Sequence, residues 1–209
     1  KPLQFVEDCN NADTVGVVRR KTVTVLKAVV EQDDCDAAGE ALKAATELKL
    51  KGKGLSDLTA LQDLTGLTSL NLNDNAVTDL SALSGLTALE SLQINANQIT
   101  DLSALSGMTA LTTLSAAKNQ IASADALAGL TTLTSLKLNG NQLTAVKPLG
   151  ALTALTSLNL ANNQITGVRA LKTLENLEEL DLSGNTIDAE KCPTDNDVPK
   201  ELKKACKDL

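Results

Sequence analysis

Asparagine recurs at a fixed spacing of 22 residues along this 209-residue chain, at Asn75, Asn97, Asn119, Asn141, Asn163 and Asn185. Columns of leucine, isoleucine and valine follow the same period, and two of them begin at Leu70 and Leu72. A fixed period between about 20 and 50 residues is typical of repeat architectures, in which each repeat buries its apolar face against its neighbours. The sequence therefore predicts a stack of similar turns, each 22 residues long.

The residues around each asparagine define the kind of repeat. The segment Leu67–Val77 resembles the leucine-rich repeat, L-x-x-L-x-L-x-x-N-x-L. Within it, Leu70 and Leu72 alternate with polar residues, which predicts a strand with one buried face and one wet face. Six strands are expected near residues 70, 92, 114, 136, 158 and 180. A degenerate turn at Leu48, with Lys53 in place of asparagine, adds a seventh.

The polar residues that keep the period have a structural interpretation. We expect each asparagine to bond backbone groups at the bend that leaves its strand, so that the six side chains form a ladder. Loss of one would leave a buried polar group unpaired, at a cost of about 1–3 kcal/mol. Asp57, Asp79 and Asp101 are expected to cap helical turns on the outer side, and Pro148 suits the first position of such a turn.

The composition narrows the range of functions. The chain has no histidine, which excludes imidazole catalysis and imidazole metal ligation, and we expect no cofactor and no metal. Its net charge is −7, which disfavours nucleic acid as a partner, because nucleic acid needs a clustered basic surface. No apolar run approaches the roughly 18 residues that span a bilayer. No nucleophile–base pair is visible either, so the sequence predicts that the chain is not an enzyme.

The four cysteines lie outside the repeats, two at each end. They allow three pairings, but only Cys9–Cys35 and Cys192–Cys206 join neighbours in a long solenoid. Closing the C-terminal loop would contribute about 3 kcal/mol if the gain is chain entropy. A zinc site is the competing interpretation, which the lack of histidine and of a C-x-x-C pair disfavours. Disulfides imply a periplasmic, extracellular or cell-surface location.

These features divide the chain into three parts. Residues 1–45 are expected to form a helical N-terminal cap, residues 46–187 a solenoid of about seven turns, and residues 188–209 a C-terminal cap. The stretch Thr22–Val30 is open to a helix or a strand, because its β-branched residues also suit a strand. Val198–Lys207 is predicted to be a short helix.

A second helix is predicted within the N-terminal cap. Asp34 is a suitable N-cap residue, and apolar residues follow it at helical spacing. The residues expected on one face of this helix are Cys35, Ala38, Leu42 and Ala45.

The repeats closely resemble those of bacterial internalins, most clearly in the runs Asn75–Leu89 and Asn97–Leu111. The ends are similar to those of secreted bacterial leucine-rich-repeat proteins, on the basis of Phe5–Cys9, Asp34–Cys35 and Cys192–Pro193. The resemblance implies an α/β fold: a right-handed leucine-rich-repeat solenoid (horseshoe) with parallel strands on the concave face and short helical turns on the convex face. It also favours a helical N-terminal cap in which Thr22 caps a helix.

Internalins bind host proteins through the concave face, so the resemblance implies a protein partner for this surface. The residues that flank the buried strand leucines are expected to point into it, and most of them are small and polar. The predicted binding residues are Lys49, Lys51, Ser69, Asn71, Asn73, Ser91, Gln93, Asn95, Thr113, Ser115, Ser135, Lys137, Asn139, Ser157, Asn159, Glu179 and Asp181.

Charge is unevenly distributed along the predicted solenoid. Lysines lie at the first turn and carboxylates at the last; the residues are Lys49, Lys51, Lys53, Glu175, Glu178, Glu179 and Asp181. This polarity suggests that the chain, expected to be a monomer, could associate weakly head to tail. The sequence therefore predicts a secreted, periplasmic or cell-surface protein-binding module. The alternative is a structural or self-assembling envelope protein that lacks a tight specific ligand.

Overall fold

The protein is described by a computed structural model that covers residues 2–193 and 198–207. Seven short strands in this part of the chain form one parallel sheet in sequence order. Each strand is displaced from the previous one by 22 residues, so that Leu70 pairs with Leu48 and with Leu92. The strands are β1 (Glu47–Lys49), β2 (Ser69–Asn71), β3 (Ser91–Gln93), β4 (Thr113–Ser115), β5 (Ser135–Lys137), β6 (Ser157–Asn159) and β7 (Glu179–Asp181).

A 3-10 turn follows each strand on the convex side. The first four are three residues long, the next two are five residues long, and the last is again three. They span Thr59–Leu61, Ser81–Leu83, Ser103–Leu105, Asp125–Leu127, Lys147–Ala151, Arg169–Thr173 and Ala189–Lys191. The structure thus confirms the right-handed leucine-rich-repeat solenoid, with parallel strands on the concave face and short helical turns on the convex face.

The core between the two faces consists of aliphatic columns. Central strand leucines such as Leu92 and Leu114 are fully buried, as are the leucines of the 3-10 turns. Phe5, the only aromatic residue in the sequence, is also fully buried. Without rings, the core is filled by repetition of similar side chains, which makes each turn dependent on its neighbours for burial.

The asparagine ladder forms as predicted. The side chain of Asn119 accepts a hydrogen bond from the Ile99 amide at 3.1 Å and donates to the Ile94 and Ala116 carbonyls at 2.9 and 3.1 Å. Each of its contacts crosses a bend or joins two turns. Equivalent bonds are made by Asn75, Asn97, Asn141, Asn163 and Asn185.

The residue before each ladder asparagine has a left-handed backbone. Gly140 has φ 69° there, whereas Ala96 has φ 52° in the equivalent position. A non-glycine residue with this conformation costs roughly 1–2 kcal/mol. The tight bend that presents the asparagine therefore carries a local strain wherever the position is not glycine.

Three helices cover the first turn of the solenoid: α1 (Gln4–Asn10), α2 (Val17–Val29) and α3 (Cys35–Ala44). Phe5, Leu26 and Leu42, one from each helix, are fully buried against the first turn. Asp34 caps α3 as predicted, since its side chain accepts a hydrogen bond from the Ala37 amide at 2.8 Å. The Cys9–Cys35 disulfide joins α1 to α3.

The expectation that Thr22 caps a helix is wrong. The helix begins five residues earlier, at Val17, and Thr22 lies buried in its middle. Its hydroxyl does not accept a bond from a helix amide, as a cap would; it donates to the Asp57 carbonyl at 2.6 Å. Thr22 therefore fastens α2 to the first solenoid turn. Of the two alternatives for Thr22–Val30, a helix or a strand, the helix is correct.

At the other end, α4 (Lys200–Lys207) packs against β7. Leu202 is fully buried, and the Cys192–Cys206 disulfide ties the helix to the end of the last turn. The predicted helix is thus present and starts two residues later than expected. Because α4 lies on β7, another solenoid could stack on this end only if the helix were displaced.

Candidate functional site

The concave face is built by the alternation of side chains along each short strand. In β3 the central Leu92 is buried, while Ser91 and Gln93 on either side are half-buried and point outward. Register between strands lines these residues up in columns, since Gln93 pairs with Asn71 on one side and Ser115 on the other. Seven strands at about 4.8 Å spacing give a surface roughly 29 Å wide. Each of the seventeen predicted binding residues is exposed or half-buried.

Amide side chains on β2–β4 form a connected network. Asn71 and Asn73 both donate to the Gln93 side-chain oxygen, at 3.2 and 3.0 Å. Asn95 accepts hydrogen bonds from the Ser115 hydroxyl at 2.8 Å and from the Ala117 amide at 2.7 Å. Several polar atoms on this part of the face are therefore already paired and held in fixed positions.

A second network lies at the C-terminal end of the face. Ser157 donates to the Glu179 carboxylate at 2.8 Å, and Asn159 donates to the Asp181 carboxylate at 3.3 Å. Asp181 also accepts bonds from the backbone and hydroxyl of Ser183, at 3.0 and 2.7 Å. This end of the face is acidic and internally bonded.

Strand β5 separates the two networks. Its Lys137 is exposed, unlike the half-buried residues in the same column on β2, β3, β4 and β6. In the described part of the chain, neither Lys137 nor Asn139 forms a side-chain hydrogen bond or ion pair. Beside them is a depression of about 270 Å³, lined by Gln93, Asn95, Thr113, Ser115, Ser135 and Lys137.

The depression results from small side chains on β4. Ser115 lines the depression in the column that holds Gln93 on β3 and Lys137 on β5, so the surface is lower there than on either side. The sequence signal for this feature is the short Ser115 between two longer residues of its column, which sequence reasoning missed. It also missed that Asn95 bonds the neighbouring backbone, since the side chain was expected only to face a partner.

The lysines of the first turn are paired. Lys49 lies 3.4 Å from the Glu47 carboxylate, and Lys51 lies 3.3 Å from the Asp74 carboxylate. All four side chains are mostly exposed, and such pairs contribute little free energy. The positive end of the face is therefore partly neutralised. Lys137, on β5, is exposed and forms no ion pair in the described part of the chain.

The shifted carboxyl groups lie on the convex side, away from the concave face. Burial raises the pKa of Asp57, but hydrogen bonds from Thr59 and the nearby Arg19 guanidinium outweigh it, so the net pKa is lowered. Hydrogen bonds from the side chain and backbone of Ser103 lower the pKa of Asp101. Both groups cap 3-10 turns, which is the structural role that the sequence predicts for them.

Catalysis and metal binding find no support in the described residues. No group of three or more cysteine, aspartate or glutamate side chains there could hold a metal ion. The four cysteines form two disulfides, which rules out the zinc interpretation. Within the same residues, no helix is long and apolar enough to cross a membrane.

Comparison with known families agrees with this geometry. The leucine-rich-repeat family, in its two-copy form, matches residues 65–107, 109–151 and 153–190, and the chain belongs to this family. Leucine-rich repeats support a protein-interaction module, and nothing about the fold points to catalysis. No curated protein matches the chain in sequence.

Among solved structures, the chain is similar to internalin C2 of Listeria monocytogenes, with 31% identity and a TM-score of 0.71. The match covers 78% of this chain and 83% of that one. It is also similar to a leucine-rich-repeat protein of Leptospira interrogans, with 29% identity and a TM-score of 0.68. That match covers 74% of this chain but only 41% of the Leptospira chain. The chain is thus an internalin-like bacterial leucine-rich-repeat protein with a disulfide at each end.

Proposed function

We propose that this chain is a non-enzymatic protein-binding module that holds its partner on the concave face. The observation that carries the proposal is the depression between β3 and β5, where Lys137 stands exposed and unpaired between two ordered polar networks. The similarity to an internalin supports a protein-interaction role. We place the centre of the proposed contact surface at the depression.

The chemistry of the face indicates what the partner presents. Lys137 offers three donors and no acceptor, so it would pair with a carboxylate or with backbone carbonyls of the partner. The paired amides around Gln93 cost little entropy to order on binding, because their neighbours already hold them. A side chain of the partner that ends in a carboxylate could enter the depression and reach Lys137 while its stem contacts Thr113.

The strength of binding follows from what the face lacks. Tyrosine and tryptophan are absent from the sequence, and no arginine occurs among the predicted binding residues. These three residue types dominate strong interface contacts. The surface is nevertheless wide enough for a standard interface of about 800 Å² per partner. We expect modest affinity for a single contact and gains from avidity when several copies are presented together.

The proposed location is outside the cytoplasm, either secreted or associated with the cell envelope. The chain has no free cysteine in its described part, and both of its disulfides close an end of the solenoid. Disulfides of this kind persist in oxidising compartments. Mass spectrometry of protein from its native cells, alkylated before reduction, would detect both bonds if the location is correct; free thiols would contradict it.

The experiment that tests the binding site uses three single substitutions. Proteins captured by the immobilised chain are identified, and their Kd is measured for the wild type, for Lys137→Glu and for Asn139→Arg. Asn139 suits this purpose better than the bonded amides, because no side-chain hydrogen bond in the described region would be lost. Lys43→Glu on α3, exposed and away from the face, is the control with the same charge change.

We expect Lys137→Glu and Asn139→Arg each to weaken binding at least tenfold, and Lys43→Glu to leave the Kd unchanged. A partner whose Kd is unaffected by both concave substitutions would move the site to another surface. Circular dichroism melting curves of all the variants keep loss of binding separate from loss of folding.

A further inference from the structure

The convex side carries two rows of opposite charge on consecutive turns. Three carboxylates lie on the second to fourth turns, and three cations lie on the fifth to seventh turns. We call the first set the acidic row, Asp79, Asp101 and Asp125, and the second set the basic row, Lys147, Arg169 and Lys191. The basic row keeps the 22-residue period, and each row presents one charge per turn.

The acidic row is held in place by local bonds. Asp79 accepts from the amide and the hydroxyl of Ser81, at 2.8 and 2.9 Å. Asp101 and Ser103 repeat this arrangement. On the fourth turn the order is reversed, and the Ser123 hydroxyl donates to Asp125 at 2.7 Å. All three carboxylates are thus fixed on the surface beside their serines, and none forms an ion pair with another described residue.

The basic row has a different construction. Ala145, Gly167 and Ala189 replace the capping aspartate, and the turns led by Lys147 and Arg169 are five residues long. The loss of the aspartate leaves the five-residue turns of Lys147 and Arg169 without a carboxylate. Neither Lys147 nor Arg169 forms an ion pair within residues 2–193 and 198–207. Lys191 contacts Asp188 at 3.5 Å on the exposed surface.

A groove runs along the basic row. It has a volume of about 520 Å³, and the three cations line it together with Val146, Ala170 and Glu190. Grooves of similar volume, about 500 and 470 Å³, follow the acidic row. The groove along the basic row is more apolar than the two grooves along the acidic row. A turn of the acidic row that docked there would therefore contact both cations and apolar side chains.

We propose that the convex side is a self-complementary interface, and that a second copy of this chain docks on it antiparallel. A twofold axis between the fourth and fifth turns places Asp125 opposite Lys147 of the second copy. The same axis places Asp101 opposite Arg169 and Asp79 opposite Lys191. Each contact occurs twice, as in any isologous dimer.

A second copy fits these observations better than an unrelated anion. An anionic ligand would use the basic row alone, whereas the twofold arrangement uses both rows. The repeat itself matches the spacing of the two rows, because both are built on the same stacked turns. The dimer also leaves the concave face and α4 uncovered, whereas head-to-tail stacking would have to displace α4 from β7.

The dimer should be weak and sensitive to salt. Exposed ion pairs contribute little individually, and salt screens them over distances of about 8–10 Å at ordinary ionic strength. Sedimentation velocity at low salt should therefore show the mass rise with concentration toward twice 21.7 kDa. At about 0.5 M salt it should return to the monomer value.

Charge reversal provides the decisive form of the test. Asp125→Lys alone and Lys147→Asp alone each place like charges at the centre of the interface, so each should weaken dimerisation at least tenfold. An equimolar mixture of the two variants restores opposite charges at both central contacts and should form a heterodimer. Glu40→Lys on α3, which is exposed, makes the same charge change as Asp125→Lys and should leave the dimer intact.

A wild-type chain that remains a monomer at low salt and millimolar concentration would overturn the proposal. So would a dimer that both single variants form as well as the wild type, because its interface would then lie elsewhere. Binding of polyglutamate to a monomeric chain, abolished by Lys147→Asp, would assign the basic row to an anionic polymer and also contradict the twofold dimer.

Discussion

Asparagine occurs in two adjacent layers of this solenoid, and the layers differ in what surrounds them. Asn119 in the ladder is buried and bonds the backbone of its own and of neighbouring turns. Asn139, on the concave face, is half-buried and forms no side-chain hydrogen bond in the described part of the chain. The two side chains are chemically identical, and only the ladder position is repeated without exception from the second turn to the seventh.

In a repeat protein, period and burial together distinguish residues that hold the fold from residues that can bind a partner. A residue that every turn requires is held by the geometry of stacking, while a residue that changes from turn to turn is free to serve a partner. Asn73 and Asn95 are intermediate cases, because they lie on the concave face but also accept bonds from the backbone of the next strand.

Removing a ladder asparagine should cost the most. Asn119→Ala leaves the buried Ile99 amide without its partner, at about 1–3 kcal/mol. It also removes one of the two side-chain donors to each of the Ile94 and Ala116 carbonyls, at about 0.5–1.5 kcal/mol each, so we expect a loss of about 4 kcal/mol in total. Asn139→Ala should change stability by less than about 0.5 kcal/mol. Urea denaturation of both variants measures the difference. Equal losses would show that the two layers are not distinct.

The first turn has no ladder asparagine and is stabilised instead by its contacts with the N-terminal cap. Replacing Cys9 and Cys35 by serine removes a disulfide with a sequence separation of 26 residues, which should cost about 3 kcal/mol in chain entropy. Amide hydrogen exchange should then accelerate first in Leu48, Leu50 and Leu55. If protection were lost equally in all seven turns, the cap would not be a local support.

Asp57 connects the cap to the first turn and should make stability depend on pH. Its pKa is lowered in the folded chain, so its contribution is present above the unfolded value of about 3.9 and is lost as the pH falls through the folded pKa. Asp57→Asn should therefore lower stability by up to about 1 kcal/mol at pH 7. Melting curves should show this difference shrink as the pH falls below the unfolded value of about 3.9. A stability difference between the wild type and Asp57→Asn that increases at acidic pH would contradict this prediction.

The bend beside the ladder should give the smallest effect. Ala96→Gly relieves a left-handed backbone but adds freedom to the unfolded chain, so we expect a gain of about 0.5 kcal/mol. The matched change Gly140→Ala introduces the same strain and should destabilise by about 1 kcal/mol. Thermal melting of both variants measures these two changes in stability. A loss on Ala96→Gly would mean that the alanine methyl makes a contact worth more than the strain.

Much of the fold could be predicted, because a fixed repeat length determines which residues of neighbouring strands pair. The 22-residue spacing determined the seven strands and the ladder, and the cysteine positions determined which pairs could meet. Thr22 could not be placed in the same way. It occurs once, outside the repeat, and its role depends on the Asp57 carbonyl, which lies 35 residues away in sequence.

The candidate site was predictable only in outline. Alternation along the strands identifies which side chains face outward, but not which of them bond one another. The network from Asn71 to Ser115 depends on side-chain rotamers across neighbouring strands. The depression depends on the difference in length between Ser115 and its neighbours Gln93 and Lys137. Neither quantity is a property of one repeat considered alone.

A titration of the captured partner into ¹⁵N-labelled protein, observed through the side-chain amide signals, distinguishes the two asparagine layers. We expect the signals of Asn139, Gln93 and Asn95 to shift, while those of the ladder residues Asn97, Asn119 and Asn141 remain in place. Shifts confined to the ladder, or an unchanged set of concave amides in the presence of saturating partner, would contradict the proposal that the inner layer holds the fold and the outer layer binds.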